Sequence, residues 1–120
     1  CVGVLARGIP AGFGDPVFDK LEADLAKACL SLPACKGFEI GSGFAGTLIP
    51  GSAHNDPMAP GLNGPRFESN RSGGVLGGIS NGMPIFARCA FKAVSSHRQP
   101  QKTVNRGGDA VDFRDAIPLR

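Results

Sequence analysis

The thirteen residues Asn70-Arg71-Ser72-Gly73-Gly74-Val75-Leu76-Gly77-Gly78-Ile79-Ser80-Asn81-Gly82 hold five glycines and one permanent cation. Glycine gives up more backbone entropy on folding than any other residue and adds no side chain to a core. Such density suits a place where main chain must approach something closely or take φ > 0 repeatedly. Two Gly-Gly steps beside Arg71 are expected to leave amide N–H groups bare, a surface for a flat or anionic ligand. Composition alone also fits a flexible loop; the interleaved Val75, Leu76 and Ile79 speak against it.

Other residues able to do chemistry are scattered. His54 and His97 stand apart, and each reads as a surface histidine. Cys1, Cys29, Cys35 and Cys89 form no CxxC pair and have no histidine at ligand spacing, so no metal site is expected. They read as small buried hydrophobes in a reducing compartment. Asn55 and Asp56 read first as turn formers. The basic residues Arg71, Arg88, Arg98, Lys102 and Arg106 are dispersed and lack interleaved aromatics, which argues against nucleic acid.

The elements that must position these groups follow from pattern. With 120 residues, 42% of them hydrophobic, the chain makes one domain at most, and 18 Gly with 10 Pro make it rich in turns. A net charge of +3 fits a small phosphorylated ligand better than a polyanion. No apolar run reaches the roughly 18 residues of a membrane span, and no signal peptide is seen. The start on Cys1-Val2-Gly3-Val4-Leu5, without Met, reads as a segment of something longer.

Val2 to Leu5 is expected to be a buried strand. A helix is expected from Pro16 to Leu30, with Asp15 as N-cap and Val17, Phe18, Leu21, Leu25, Ala28 and Cys29 along its apolar face. Pro33 stops it. A strand over 36–44 follows, then a loop-dominated stretch over 45–69 of the kind that serves as a lid or binding loop. Pro84 to Lys92 reads as a strand, Lys102 to Asn105 as a weaker one, and Asp109 to Phe113 as a last short one after the Arg106-Gly107-Gly108 turn. Asp112, Arg114 and Asp115 read as a solvated tail. The expected class is α+β: a mainly antiparallel sheet with one packed helix.

Five blocks, in order, resemble the chorismate synthase family: Gly8-Ile9-Pro10-Ala11-Gly12-Phe13-Gly14-Asp15-Pro16-Val17-Phe18-Asp19-Lys20-Leu21; Ser31 to Gly41; Gly51-Ser52-Ala53-His54-Asn55-Asp56; Asn70 to Gly82; and Ala90-Phe91-Lys92 with Gln101-Lys102-Thr103-Val104. The resemblance runs from Val2 to about Asn105, with 106–120 divergent, and implies one partial domain of that family's β-α-β sandwich. It implies an enzyme, a phosphate lyase of the shikimate pathway and aromatic amino acid biosynthesis. That enzyme eliminates phosphate in a 1,4-anti sense from 5-enolpyruvylshikimate 3-phosphate to give chorismate, with reduced FMN as cofactor. A homo-oligomer, commonly a tetramer, is implied, in the cytoplasm or in a plastid in plants and algae.

Carried over by position, Pro33, Ala34, Gly77, Lys92, Ala93, Val94, Ser95 and Ser96 are the implied flavin-side contacts. His54, Asn55, Asp56, Asn70 and Arg71 are the implied substrate or phosphate loops. Ala93 stands where the family has proline. The family's two proton-transfer histidines fall outside this chain, so no catalytic residue is assigned and the isolated chain is expected to turn over negligibly. The alternative is a non-catalytic remnant acting as a flavin- or anion-binding or oligomerisation module.

Overall fold

The computed structural model describes residues 1–62 and 64–114. Its centre is the strand read over Pro84 to Lys92. Here it is β7 (Ile85–Phe91), flanked by β1 (Val2–Ala6) and β2 (Cys35–Ile40), both antiparallel to it. Ile85, Ala87 and Cys89 alternate inward along β7 and are buried with Cys35 and Val75, the period expected of a central strand. Glu39 lies opposite Arg88, and the two form an ion pair at 2.5 Å that pins the register. Helix α1 (Leu21–Leu30) packs against β2. All paired strands are antiparallel, so the α+β class holds.

Three expectations change. The helix begins five residues late, at Leu21 rather than Pro16, and Asp15 is not its cap. Asp15 and Asp19 instead exchange backbone hydrogen bonds at 2.7 and 3.1 Å, and Val17 and Phe18 are 76% and 90% exposed. The start is set by a tertiary contact: the Leu21 N–H donates to the Gly78 carbonyl at 2.8 Å, supplying a partner that no side chain gives. Strand β1 is paired on one side only and largely exposed, because α1 covers β2 and leaves Val2 and Val4 open. Strand β2 stops at Ile40, where Gly41 turns to positive φ and a 3₁₀ segment (Gly43–Leu48) follows.

The 45–69 stretch is more structured than its composition indicates. It carries the short helix α2 (Gly51–His54) and the hairpin β3 (Met58–Ala59) with β4 (Arg66–Phe67). The glycine-rich run forms a second hairpin, β5 (Val75–Leu76) with β6 (Ile79–Ser80), turning on Gly77-Gly78 with both φ positive, as a two-residue hairpin turn demands. The last hairpin is β8 (Gln101–Val104) with β9 (Ala110–Phe113). The Asn105 side chain accepts from Gly107 and Asp109 N–H at 2.8 and 3.0 Å to close its turn. Asp112 therefore sits in a strand rather than a loose tail, whereas Asp115 lies outside the described residues.

The radius of gyration is 21.0 Å, against about 14 Å for a compact chain of this length. No large side chain among the described residues is fully buried. Among the described residues no helix is long and apolar enough to cross a membrane.

Candidate functional site

Strand β2 has two ends, and the sequence-identified residues divide between them. At its start, Leu32 to Cys35 is a β-turn closed by the Cys35 N–H on the Leu32 carbonyl at 3.2 Å. Pro33 takes the position its fixed φ suits, and Ala34 takes φ +65°. Ala34 is the one non-glycine residue of positive φ among the described residues, a conformation that costs an L-residue about 1–2 kcal/mol. Its carbonyl accepts from the Lys92 N–H at 2.9 Å, while its own N–H has no partner among the described residues. Lys92, Ala93, Val94, Ser95 and Ser96 run on from β7, all exposed. Pro33, Ala34 and Lys92 of the eight implied flavin-side residues thus meet, and 93–96 lead away from that junction.

Gly77 does not join them. The Gly77-Gly78 turn sits at the first residue of α1 while Pro33 follows its last, and ten residues of helix put them about 15 Å apart. Nothing lies within 4 Å of where a Gly77 Cβ would be, so its face is open. Gly73 and Gly74 are different. Their N–H groups donate to the Asn70 carbonyl at 3.2 Å and to Asn70 Oδ1 at 2.7 Å, so the bare amides expected there are absent. These glycines are needed because Gly73 lies on the Gly41 backbone and Gly74 on Met83 and Pro84.

The substrate-loop candidates meet at the far end of β2, about 20 Å from Ala34 at strand rise. Asp56 is the hub. Its Oδ1 accepts from Ser69 Oγ at 2.6 Å and from the Arg71 N–H at 2.7 Å, and its Oδ2 from the Ser72 N–H at 2.9 Å. Partial burial raises its pKa, but the Ser69 hydroxyl and the Ser72 and Arg71 amides outweigh that and hold the carboxyl well below the usual range. Arg71 Nη1 donates to the Asn55 carbonyl at 3.1 Å and Ser69 Oγ at 3.3 Å. Asn70 is committed at both ends, its Nδ2 donating to the Pro84 carbonyl at 2.8 Å. Asp56 and Asn70 therefore build the loop, and Arg71 presents charge from it.

His54 is not a free surface histidine: half-buried, it pairs through Nε2 with Ser42 Oγ at 2.6 Å. The pair lines an open groove of about 690 Å³ with Phe38, Ile40, Phe44 and Ile49. Ser80, which the sequence reading passed over, is buried. Its Oγ donates to the Pro10 carbonyl at 2.7 Å and accepts from the Phe13 N–H at 2.9 Å, clamping the Gly8–Gly14 loop to the glycine hairpin. A serine between apolar Ile79 and the hairpin end was the available signal. Cys35 and Cys89 are buried as expected and Cys29 partly, but Cys1 is exposed. Burial, with the Cys29 and Cys35 thiols beside it, pushes the Cys89 thiol up to about 11. No metal-binding cluster occurs among the described residues.

The chorismate synthase family model matches residues 1–115. The chain belongs to the chorismate synthase family. It is 58% identical over 113 residues to a chorismate synthase of Methylacidiphilum infernorum, a match covering 94% of this chain and 31% of the relative. It is 60% identical over 115 residues to one of Synechococcus sp. WH7803, covering 92% and 32%. A crystal structure of chorismate synthase superposes with a TM-score of 0.72 at 38% identity, over 75% of this chain and 28% of that one. The chain spans about a third of the length of these chorismate synthases, and the family match takes in the β8–β9 hairpin, beyond Asn105.

Proposed function

We propose that this chain contributes flavin-side and phosphate-side contacts to a chorismate synthase that eliminates phosphate from 5-enolpyruvylshikimate 3-phosphate, with reduced FMN as its cofactor. One observation carries the reading. Pro33-Ala34 and Lys92–Ser96 are far apart in sequence, and each is implied by position to meet the flavin. The Lys92 N–H to Ala34 carbonyl bond brings them to one spot.

The residues there suit the group. The unpartnered Ala34 N–H offers a donor to the edge of a flat ring, held by a turn whose φ resists relaxation. Lys92 makes no ion pair among the described residues, and with the Ser95 and Ser96 hydroxyls it can neutralise a phosphate. When bound, the reduced flavin supplies electron density as phosphate departs. This chain's own work is to bind, orient and neutralise; neither His54, held by Ser42, nor the exposed His97 is assigned a proton transfer. A homo-oligomer is part of the proposal, since Gly77 stands at the other end of α1 from the rest of the flavin-side set.

Titration of FMN, read by quenching of flavin fluorescence, tests the proposal. Saturable binding that Lys92→Ala weakens supports it. Binding unchanged by Lys92→Ala and by bulk at Ala34 sinks it. Phosphate release with anaerobic reduced FMN separates an active enzyme from the alternative, a binding or oligomerisation module without turnover.

A further inference from the structure

Ser42 follows the end of β2 in the triplet Gly41-Ser42-Gly43, whose glycines take φ +57° and +51°. The chain turns sharply on either side of the serine and runs on into the 3₁₀ segment Gly43–Leu48. Such a strand–serine–helix corner holds the side chain at its apex. His54 ends α2 and reaches Ser42 from that separate segment, Oγ to Nε2 at 2.6 Å. With the ring proton on Nδ1, the hydroxyl donates to Nε2, the arrangement in which an imidazole takes a serine proton. Gly46 records how closely the pair is seated. Its φ lies outside the left-handed region, so conformation does not demand a glycine. A Cβ there would stand 2.5 Å from Ser42 Oγ and 2.8 Å from His54 Nε2, so the pair itself excludes a side chain.

A clip between two segments would be complete with the hydrogen bond alone, yet two features are left over. The Gly43 N–H, the amide next to the serine, has no partner among the described residues, whereas the Phe44 N–H beside it is taken by Glu39 Oε2 at 3.0 Å. The pair also opens on the groove of about 690 Å³, a size that holds a small molecule. Its walls include Phe38, Ile40, Phe44 and Ile49 and carry no Lys or Arg. Its one carboxylate, Glu39, is committed to Arg88 and to the Phe44 N–H. The groove therefore suits an uncharged, apolar compound and has no cation for a phosphorylated one.

We propose that Ser42 and His54 form a nucleophile–base dyad that cleaves an uncharged ester with an apolar acyl chain, a reaction apart from the elimination, in which His54 takes no part. Ser42 Oγ attacks the ester carbonyl as its proton passes to His54 Nε2, and the Gly43 N–H is the donor at hand for the oxygen that gains charge. The ester C–O bond breaks, and the alcohol leaves with the proton from Nε2. Water then attacks the acyl-serine, losing a proton to the same nitrogen. The carboxylic acid departs and the Ser42 hydroxyl regains its proton. His54 Nδ1 has no partner among the described residues, so the pair lacks the third group that orients the imidazole of a triad, and turnover is slow.

The protein is incubated with p-nitrophenyl butyrate, nitrophenolate release is followed, and the acyl group is located by peptide mass mapping. Release above the buffer rate is expected, with a butyryl mass on the peptide that carries Ser42. Ser42→Ala should remove that adduct and leave only the release that the exposed Cys1 thiol and His97 support. His54→Gln should slow acylation about 10²-fold, the low end of what a general base contributes. Gly46→Ala keeps both groups and parts them, because its methyl meets the Ser42 and His54 side chains; it should slow acylation by a similar factor. Thermal unfolding followed by circular dichroism shows that each variant is folded. No adduct, an adduct confined to Cys1 or His97, or release undiminished in Ser42→Ala overturns the dyad. Acylation of Ser42 at an unchanged rate in both His54→Gln and Gly46→Ala overturns the role of the base. Mapping on the unsubstituted protein decides alone where a variant fails to fold. FMN titration reads the other end of β2, and its outcome leaves these readouts untouched.

Discussion

Gly73→Ala and Gly77→Ala should differ sharply, although both glycines have positive φ, +70° and +60°. An alanine at either one adopts the left-handed region at about 1–2 kcal/mol. At Gly77 that is the whole penalty, since its new methyl meets nothing within 4 Å. At Gly73 the methyl would overlap the Gly41 N, lie 2.6 Å from Gly41 Cα and 2.9 Å from the Phe86 carbonyl. These are backbone atoms of two strands' ends and cannot swing aside. Relief requires the 70–74 segment to lift from the sheet, which strains two hydrogen bonds: Ser42 N–H to the Arg71 carbonyl and Phe86 N–H to the Gly73 carbonyl. At about 1 kcal/mol net for each bond, added to the left-handed penalty, Gly73→Ala should lose roughly 3–4 kcal/mol against about 1–2 for Gly77→Ala. A domain stable by only about 5–15 kcal/mol feels that difference strongly. Urea unfolding followed by far-UV circular dichroism reads it as a shift in midpoint. Equal losses at the two positions would refute the argument, because they would mean that φ alone makes these residues glycine.

Ala34→Gly should stabilise the chain by about 0.5–1 kcal/mol, the left-handed penalty less the extra freedom of the unfolded glycine; the same urea midpoints check it. The Asp56 carboxyl ionises below its ordinary value of 3.8, so its contribution is fully present above that value and fades as pH falls through the lower folded one. Asp56→Asn should therefore lose about 2 kcal/mol at pH 7 and show a shallower loss of stability below pH 4, measured as unfolding midpoints against pH. With a thiol at about 11 inside the sheet, Cys89 should stay unreacted with a disulfide reagent at pH 8 until the protein is unfolded, whereas exposed Cys1 reacts at once. Ser80→Ala should lose about 2–3 kcal/mol by leaving the Pro10 carbonyl and Phe13 N–H unmatched, again as a midpoint shift.

How much the chain reveals in its residues depended on whether the deciding partner was local. Strand β7 and the stop after Leu30 were legible because alternation and Pro33 are local signals. The β8–β9 hairpin was legible from its Arg106-Gly107-Gly108 turn. The helix start was not, because the Gly78 carbonyl that receives the Leu21 N–H lies in a distant segment. Val2 and Val4 have the apolar character of a buried strand, but the one ten-residue helix packs on β2, at the far edge of the sheet from β1, and leaves them open. The residues of the candidate site were recognised by resemblance, while their division between two ends of β2 was invisible. No spacing rule distinguishes an Asn70 committed to Pro84 and Gly74 from an Arg71 left open.

The sheet, rather than the glycine run, is what sets the geometry of this chain. The Ala34–Lys92 junction exists because Cys35 pairs with Phe91, and the Asp56–Arg71 clasp is seated because Gly41 meets Phe86 and Gly73 at the other end of the same two strands. A slip of one residue between β2 and β7 would turn every side chain to the opposite face. It would also part Glu39 from Arg88 and carry Lys92 away from Ala34. The bulge between Cys35 and Gly37 is the one place where the register already shifts, and it lies next to the strained Ala34. The irregular backbone is thus confined to this end, while the rest of β2 stays in step with β7. The two contact regions are thus held at a fixed separation by six residues of paired strand. Each can change its chemistry without moving the other.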